Sequence, residues 1–393
     1  MTDPVVSVRP APRWFHAGAI LTLGIVLFPL VLGQLVTSLR AGMADPRWPT
    51  EPWYLLNNYR FDLGYLVEHS HRIAGFTLGG VVSLLTLGLW WTDPRKAARW
   101  AGLAGIVVLL AAYGQFHRAM MDLPETGEVV IPPGPVAGMA VGLGLALVVG
   151  VSGLFAGVRG SGLRLLAVVT LVAVMIQGLL GGTRVLYNAL SGPELAAIHG
   201  MFAQVVFSLL VALTVLSARR QGGGSVPGWL RWLSVALVGL LFVQLVWGVL
   251  VRHLPTGLAQ RMHFLSAFLI VAGVVWLVRG VFADPAARRR AGWLAVAMGG
   301  LVALQVVLGV EAWMGKFGTY VLPEMEKITP EKAAIRTAHV LIGTLLLGSA
   351  VAAALKLMSG SGIAIERSTD APRRAATETV RELVGVSRLG ETT

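Results

Sequence analysis

Four histidines carry the most chemically suggestive pattern in this chain: His71, His199, His263 and His339. Each falls within about the first two turns of an apolar run long enough to cross a bilayer. An ionisable side chain at such a position is costly and marks function by default. A single membrane histidine commonly serves as a helix–helix hydrogen-bonding group. Four at matching depth point instead to ligation. Imidazole suits zinc, copper or haem iron. The chain has no cysteine, which excludes thiolate metal sites, iron–sulfur clusters and disulfides. No carboxylate recurs beside each histidine. Haem iron takes axial imidazole in an apolar slot, and four histidines allow two bis-histidine sites. Gly75 and Gly200, beside the ligands, would let a flat macrocycle approach the backbone or would serve close helix packing.

Other residues add to the pattern. Arg72, Arg261 and Arg336 lie next to, two before and three before a histidine. They are placed to pair with haem propionates or to snorkel to the interface. Glu68 lies three residues before His71, so both share a helix face. That carboxylate could steer a proton beside a haem, or form a salt bridge to Arg72 or Arg118. No other histidine helix has a carboxylate at this spacing; Glu194, five before His199, is a poorer match. The asymmetry suggests one catalytic site and one supporting site. His69 is expected at the interface, and His117 and His253 facing solvent or headgroups.

These residues need a membrane frame to position them. Of the 393 residues, 55% are hydrophobic and 13% charged, against roughly 25% charged in soluble domains. A span needs about 20 apolar residues. Ten candidates are found, at 15–38, 66–91, 99–116, 136–157, 163–185, 194–217, 229–251, 260–282, 291–312 and 334–357. The third is the weakest. The first is too long for a signal-peptide core and reads as a retained span. The net charge of +12 fits Lys and Arg held at the cytoplasmic face; no basic soluble face suggests nucleic acid. Arg95, Lys96 and Arg99, then Arg159 and Arg164, Arg219 and Arg220, and Arg288, Arg289 and Arg290 fall in inner connections if both termini are cytoplasmic. The histidines then lie near the outer face of a cell (inner) membrane.

The spans repeat. Gln177-Gly-Leu-Leu-Gly181, Gln244-Leu-Val-Trp-Gly248 and Gln305-Val-Val-Leu-Gly309 each end an outward helix, and a histidine helix follows each. A looser form has Gly33 before His71. The expected fold is all-α integral membrane: two pseudo-repeated four-helix bundles plus an inserted hairpin. Residues 1–14 form a cytoplasmic N-terminus, and 15–217 the N-terminal bundle with the hairpin at 99–157. Residues 218–228 form a linker, 229–357 the C-terminal bundle, and 358–393 a polar tail read as disordered.

At the level of motifs the chain resembles haem A synthase. Glu68-His-Ser-His-Arg72 looks like that family's Glu-x-x-His-Arg stretch. Leu35-Val-Thr-Ser with Gly42-Met-Ala and Trp48-Pro resembles its first helix end and outer loop. Gln177-Gly-Leu-Leu-Gly-Gly-Thr-Arg184, Ile198-His-Gly200 and Thr337-Ala-His-Val-Leu-Ile-Gly343 fit later segments. The resemblance implies eight helices in two bundles. It implies oxidation of the C8 methyl of haem O to the formyl of haem A by successive hydroxylations, for terminal oxidase assembly. By the same resemblance His71 and His199 would hold the substrate haem, Glu68 would assist at its edge, and His263 and His339 would hold haem b. Implied partners are a haem O synthase, a terminal oxidase and an unidentified electron acceptor; a homo-oligomer is left open. The chain departs from the pattern in its extra hairpin, in the order Asp45-Pro-Arg-Trp-Pro49, and in the short segment before His263. Two other readings stand beside the enzyme. One is a non-catalytic bis-haem cytochrome that relays electrons. The other is a repeat-built transporter, which would favour broken spans at the midplane.

Overall fold

A computed structural model describes residues 11–44, 62–121, 131–218, 224–318 and 325–359. The Trp48-Pro49 motif, Arg219, Arg220 and the expected disordered tail lie outside the described residues. All regular structure among the described residues is helical. Among the described residues, ten helices are long and apolar enough to cross a membrane. In chain order the helices are α1 (Arg13–Ile25), α2 (Leu27–Ser38), α3 (Leu63–Trp91), α4 (Lys96–Met121), α5 (Pro133–Phe155), α6 (Ser161–Leu186), α7 (Asn188–Ser217), α8 (Gly228–His253), α9 (Gly257–Ala283), α10 (Pro285–Phe317) and α11 (Pro330–Met358).

The first span is broken, where the sequence suggests one helix. Pro29 lacks an N–H and clashes with the carbonyl four residues back, so α1 stops at Ile25 and α2 begins at Leu27. α2 ends in a Schellman motif: Ala41 N–H donates to the Val36 carbonyl and Arg40 N–H to Thr37, with Arg40 at φ 56°. Three of the four helices that carry the paired histidines start on a side-chain cap. Asp62 accepts from Gly64 N, Thr256 from Ala259 N and Thr329 from Lys332 N. Such caps satisfy otherwise orphaned N–H groups and set where each histidine falls. The fourth, α7, is separated from α6 by Tyr187 alone.

The helices close two rings. In one, α2 packs on α3, α3 on α6, α6 on α7, and α7 back on α1. In the other, α8, α9, α10 and α11 pack in succession and α11 returns to α8. α11 also packs on α2 and α7, between the rings. Its Ala350, Ala352, Ala353 and Ala354 are buried, small side chains that allow close backbone approach.

The α4–α5 hairpin lies against α3 and α6. Its two helices meet at Gly105 and Gly142, where a Cβ on Gly142 would stand 2.5 Å from Leu109 N. At the end away from the histidines, Asp93 pairs with Arg95 (3.1 Å) and Arg164 (3.3 Å), and Arg95 also reaches the Val149 carbonyl of α5. Burial pushes the Asp93 carboxyl up, but the Arg95 hydrogen bonds and the Arg164 charge outweigh it and hold it below its usual range. The helix at 99–116 runs on through Met121, so His117 is helical. Arg288, Arg289 and Arg290 are not in a connection, as the sequence suggests. Asp284 caps α10 directly, so these arginines form its first turns, and Arg290 donates to the Gly224 carbonyl.

Candidate functional site

The first ring brings His71 of α3 and His199 of α7 together, with ring centroids 6.2 Å apart. The second brings His263 of α9 and His339 of α11 together at 6.4 Å. Each imidazole rests on a glycine of the preceding outgoing helix. A Cβ on Gly33 would stand 2.8 Å from Cε1 of His71, and one on Gly181 3.3 Å from that of His199. The corresponding distances are 3.1 Å for Gly248 to His263 and 3.0 Å for Gly309 to His339. The glycine of the sequence repeat is therefore the floor of a histidine slot.

The glutamine of the repeat has a position too. The side-chain amide nitrogens of Gln177, Gln244 and Gln305 lie 3.3 Å from Nε2 of His199, His263 and His339. Ser266 hydrogen-bonds the Gln244 amide oxygen. In the first unit Pro29 stands four residues before Gly33, where the others have glutamine. Its carbonyl lies 2.9 Å from Nδ1 of His71. A carbonyl only accepts, so Nδ1 carries the proton and Nε2 keeps its lone pair. That arrangement fixes a ligand tautomer.

Several polar atoms here make no hydrogen bond among the described residues. They are Nδ1 of His263 and His339 and the amide oxygens of Gln177 and Gln305, all buried. Among the described residues no group of three or more acidic or histidine side chains is arranged around a metal ion; each site is a pair. Two imidazoles sharing one metal at about 2 Å each would place their ring centres about 6 Å apart. Both pairs match that separation, and the glycine floors under all four rings suit a group held between them. Haem, which brings its own four equatorial nitrogens, needs only such a pair.

The other expected residues are placed as follows. Glu68 is buried and ion-paired with Arg72 at 3.0 Å, one turn on, which is the salt-bridge alternative the spacing allowed. Arg336 donates to both oxygens of Glu326, at 2.8 and 2.7 Å, and Lys332 joins the same carboxylate. Burial pushes the Glu326 carboxyl up, but the hydrogen bonds and charges of Arg336 and Lys332 prevail and hold it below its usual range. Arg261 is exposed, and Glu194 is exposed on α7. His69 is not interfacial: it is fully buried and stacked on Tyr65 at 5.5 Å. Nor does His117 face solvent. Its ring nitrogens are buried among Phe76, Tyr113 and Phe116, one turn from Tyr113, whose hydroxyl donates to the Met175 carbonyl. His253 closes α8 and is half-buried.

Sequence reasoning missed Arg184, Arg252 and Lys316. Arg184 packs over Gly42 within electrostatic reach of Glu68, His71 and His199. Arg252 donates to Gln34 Oε1 (2.8 Å) and Ser38 Oγ (2.9 Å) of the other ring. Lys316 donates to the carbonyls of Val251 and Arg252 at the end of α8. A signal was present in two cases: Arg184 and Arg252 follow the repeat glycine by three and four residues, on the same helix face.

No family model matches the chain. Over 120 residues it is 31% identical to a protein from Methylobacterium radiotolerans named Heme A synthase. The match covers 27% of this chain and 31% of that protein, so the chain spans about a third of the length of the relative it matches. A ten-span helical protein with two crossed histidine pairs is thus similar, over part of its length, to a protein named for haem A synthesis.

Proposed function

We propose that this protein is a haem-binding membrane oxidoreductase of haem A synthesis, oxidising the C8 methyl of haem O to a formyl group by successive hydroxylations. The observation that carries the reading is the pairing of four repeat histidines into two sites of nearly equal separation, 6.2 and 6.4 Å. The partial likeness to a protein named Heme A synthase supports the choice of reaction. His71 and His199 would hold the substrate haem, and His263 and His339 a resident haem b. The resident group would supply one-electron transfer when bound. The electron acceptor is unidentified, and the positive-inside rule favours haem sites near the outer face of a cell membrane.

The chain's own residues prepare the first site. Pro29 holds His71 in the tautomer that offers Nε2. Gly33 leaves the space beside the ring. Arg72 fixes the Glu68 carboxylate one turn before the ligand, where it can accept a proton released at the substrate's edge.

The Glu68–Arg72 ion pair also favours a second reading, a bis-haem cytochrome that relays electrons with Glu68 as a structural anion. Extraction and identification of the haems in the purified protein separate the two. Haem O or haem A alongside haem b is the outcome expected of the enzyme; haem b alone would sink it.

A further inference from the structure

A buried cation is tolerated when an anion or a full set of hydrogen bonds meets it. Near the first histidine pair, Glu68 is matched by Arg72, and Arg184 adds a second positive charge. The Arg184 Nε is buried and makes no hydrogen bond among the described residues. Near the second pair, Glu326 is shared by Arg336 and Lys332. Arg252 lies close to His339 and Arg336, and its hydrogen bonds go to neutral oxygens of Gln34 and Ser38. Lys316, next to both Arg252 and Arg336, likewise donates to backbone carbonyls. Among the described residues, both sites thus hold more positive charge than negative.

The excess follows the repeat. Arg184 is three residues beyond Gly181 and Arg252 four beyond Gly248, so each stands one turn past a glycine that floors a histidine slot. The two arginines occupy equivalent places in the two rings, on the helix that precedes a ligand helix.

We propose that Arg184 and Arg252 are the carboxylate-binding residues of the two sites, each receiving a propionate of the porphyrin held by the neighbouring histidine pair. The proposal rests on the haem reading above. It moves this role from Arg72 and Arg336, whose charges are already met by Glu68 and Glu326, and from Arg261, which is exposed. Arginine is suited to it because its planar fork meets a carboxylate through two parallel hydrogen bonds.

The test titrates the full-length, haem-free protein in detergent with haem b or with its dimethyl ester, following the Soret band of the bis-imidazole complex. His339→Ala leaves the first site to be read alone, and His199→Ala the second. In each background haem b is expected to bind about 10-fold or more tightly than the diester. Arg184→Gln in the first background, and Arg252→Gln in the second, should shrink that preference below about 3-fold, mainly by weakening haem b. Arg184→Lys and Arg252→Lys should keep part of it. An undiminished preference in both glutamine variants overturns the proposal and leaves the haem reading intact. Equal affinity for haem b and diester in the parent backgrounds overturns it as well, whether or not the glutamine variants fold. No Soret band in the unsubstituted protein overturns both the proposal and the haem reading.

Discussion

The two histidine pairs have almost the same separation and differ in what surrounds them. In the second ring both ligand candidates, His263 and His339, face a glutamine amide, and their Nδ1 atoms have no hydrogen-bond partner among the described residues. In the first ring His199 keeps the glutamine, but His71 has the Pro29 carbonyl on Nδ1 instead. A buried carboxylate, Glu68, also shares a helix face with His71. The carboxylate that pairs with Arg336 near the second pair, Glu326, comes from the segment before α11 and is held by two cations. One proline and one glutamate thus distinguish two otherwise repeated sites. The repeat builds both histidine pairs, and the departures from it set the first pair apart.

The largest effects are expected at His71 and Glu68. His71→Ala and Glu68→Ala should abolish formation of haem A while leaving haem b bound, read by haem extraction. Loss of haem b from either variant, with His263 and His339 intact, would contradict separate sites. Next in size is the buried anion of the second ring. Glu326→Gln leaves Arg336 and Lys332 uncompensated and should cost about 3 kcal/mol, measured by denaturant or thermal unfolding in detergent. Because the Glu326 carboxyl is held below its usual range, its contribution is fully present above the ordinary carboxylate value. It is lost as pH falls through the depressed one. An unchanged low-pH limb in the glutamine variant would show that this carboxylate does not set it.

The glycine floors sharpen the comparison further. Gly33→Ala meets His71 at 2.8 Å and Gly181→Ala meets His199 at 3.3 Å. The first should cost about 2 kcal/mol and the second less than about 1 kcal/mol, with a larger spectral shift for the first. Equal effects would mean that the two floors are interchangeable. The smallest effect is expected from Gln305→Leu, which removes one hydrogen bond to His339, costs the haem-free protein about 1 kcal/mol and leaves both haems able to bind.

Much of this was legible in the sequence. Apolar length marks the ten spans; the Gln-x-x-x-Gly repeat with its following histidine marks three of the paired histidines, and its looser form with Gly33 marks the fourth, His71. The physical reason for the repeat, a glycine beneath an imidazole and an amide beside it, required the packed helices. The break at Val26 was not read from apolar length, which continues through it; its physical reason is Pro29, which lacks the N–H that would bond the Ile25 carbonyl. The pairing of Arg336 with Glu326 was not legible, since it depends on how the segment before α11 folds back. Arg252 shows a further limit. Its partners Gln34 and Ser38 are more than two hundred residues away in the chain, and nothing local announces them. His69, expected at the interface, and His117, expected to face solvent or headgroups, are both buried by aromatic neighbours that the sequence places a turn or a helix away.

We propose that the four histidines form two separate haem sites. Haem-to-protein stoichiometry with electron paramagnetic resonance of the oxidised protein tests it most directly. Two low-spin bis-imidazole haems per chain are expected in the wild type, one for each histidine pair. His199→Ala should lose the signal of one site and His339→Ala that of the other. A single haem in the wild type, or a single histidine substitution that removes both signals, would contradict the account.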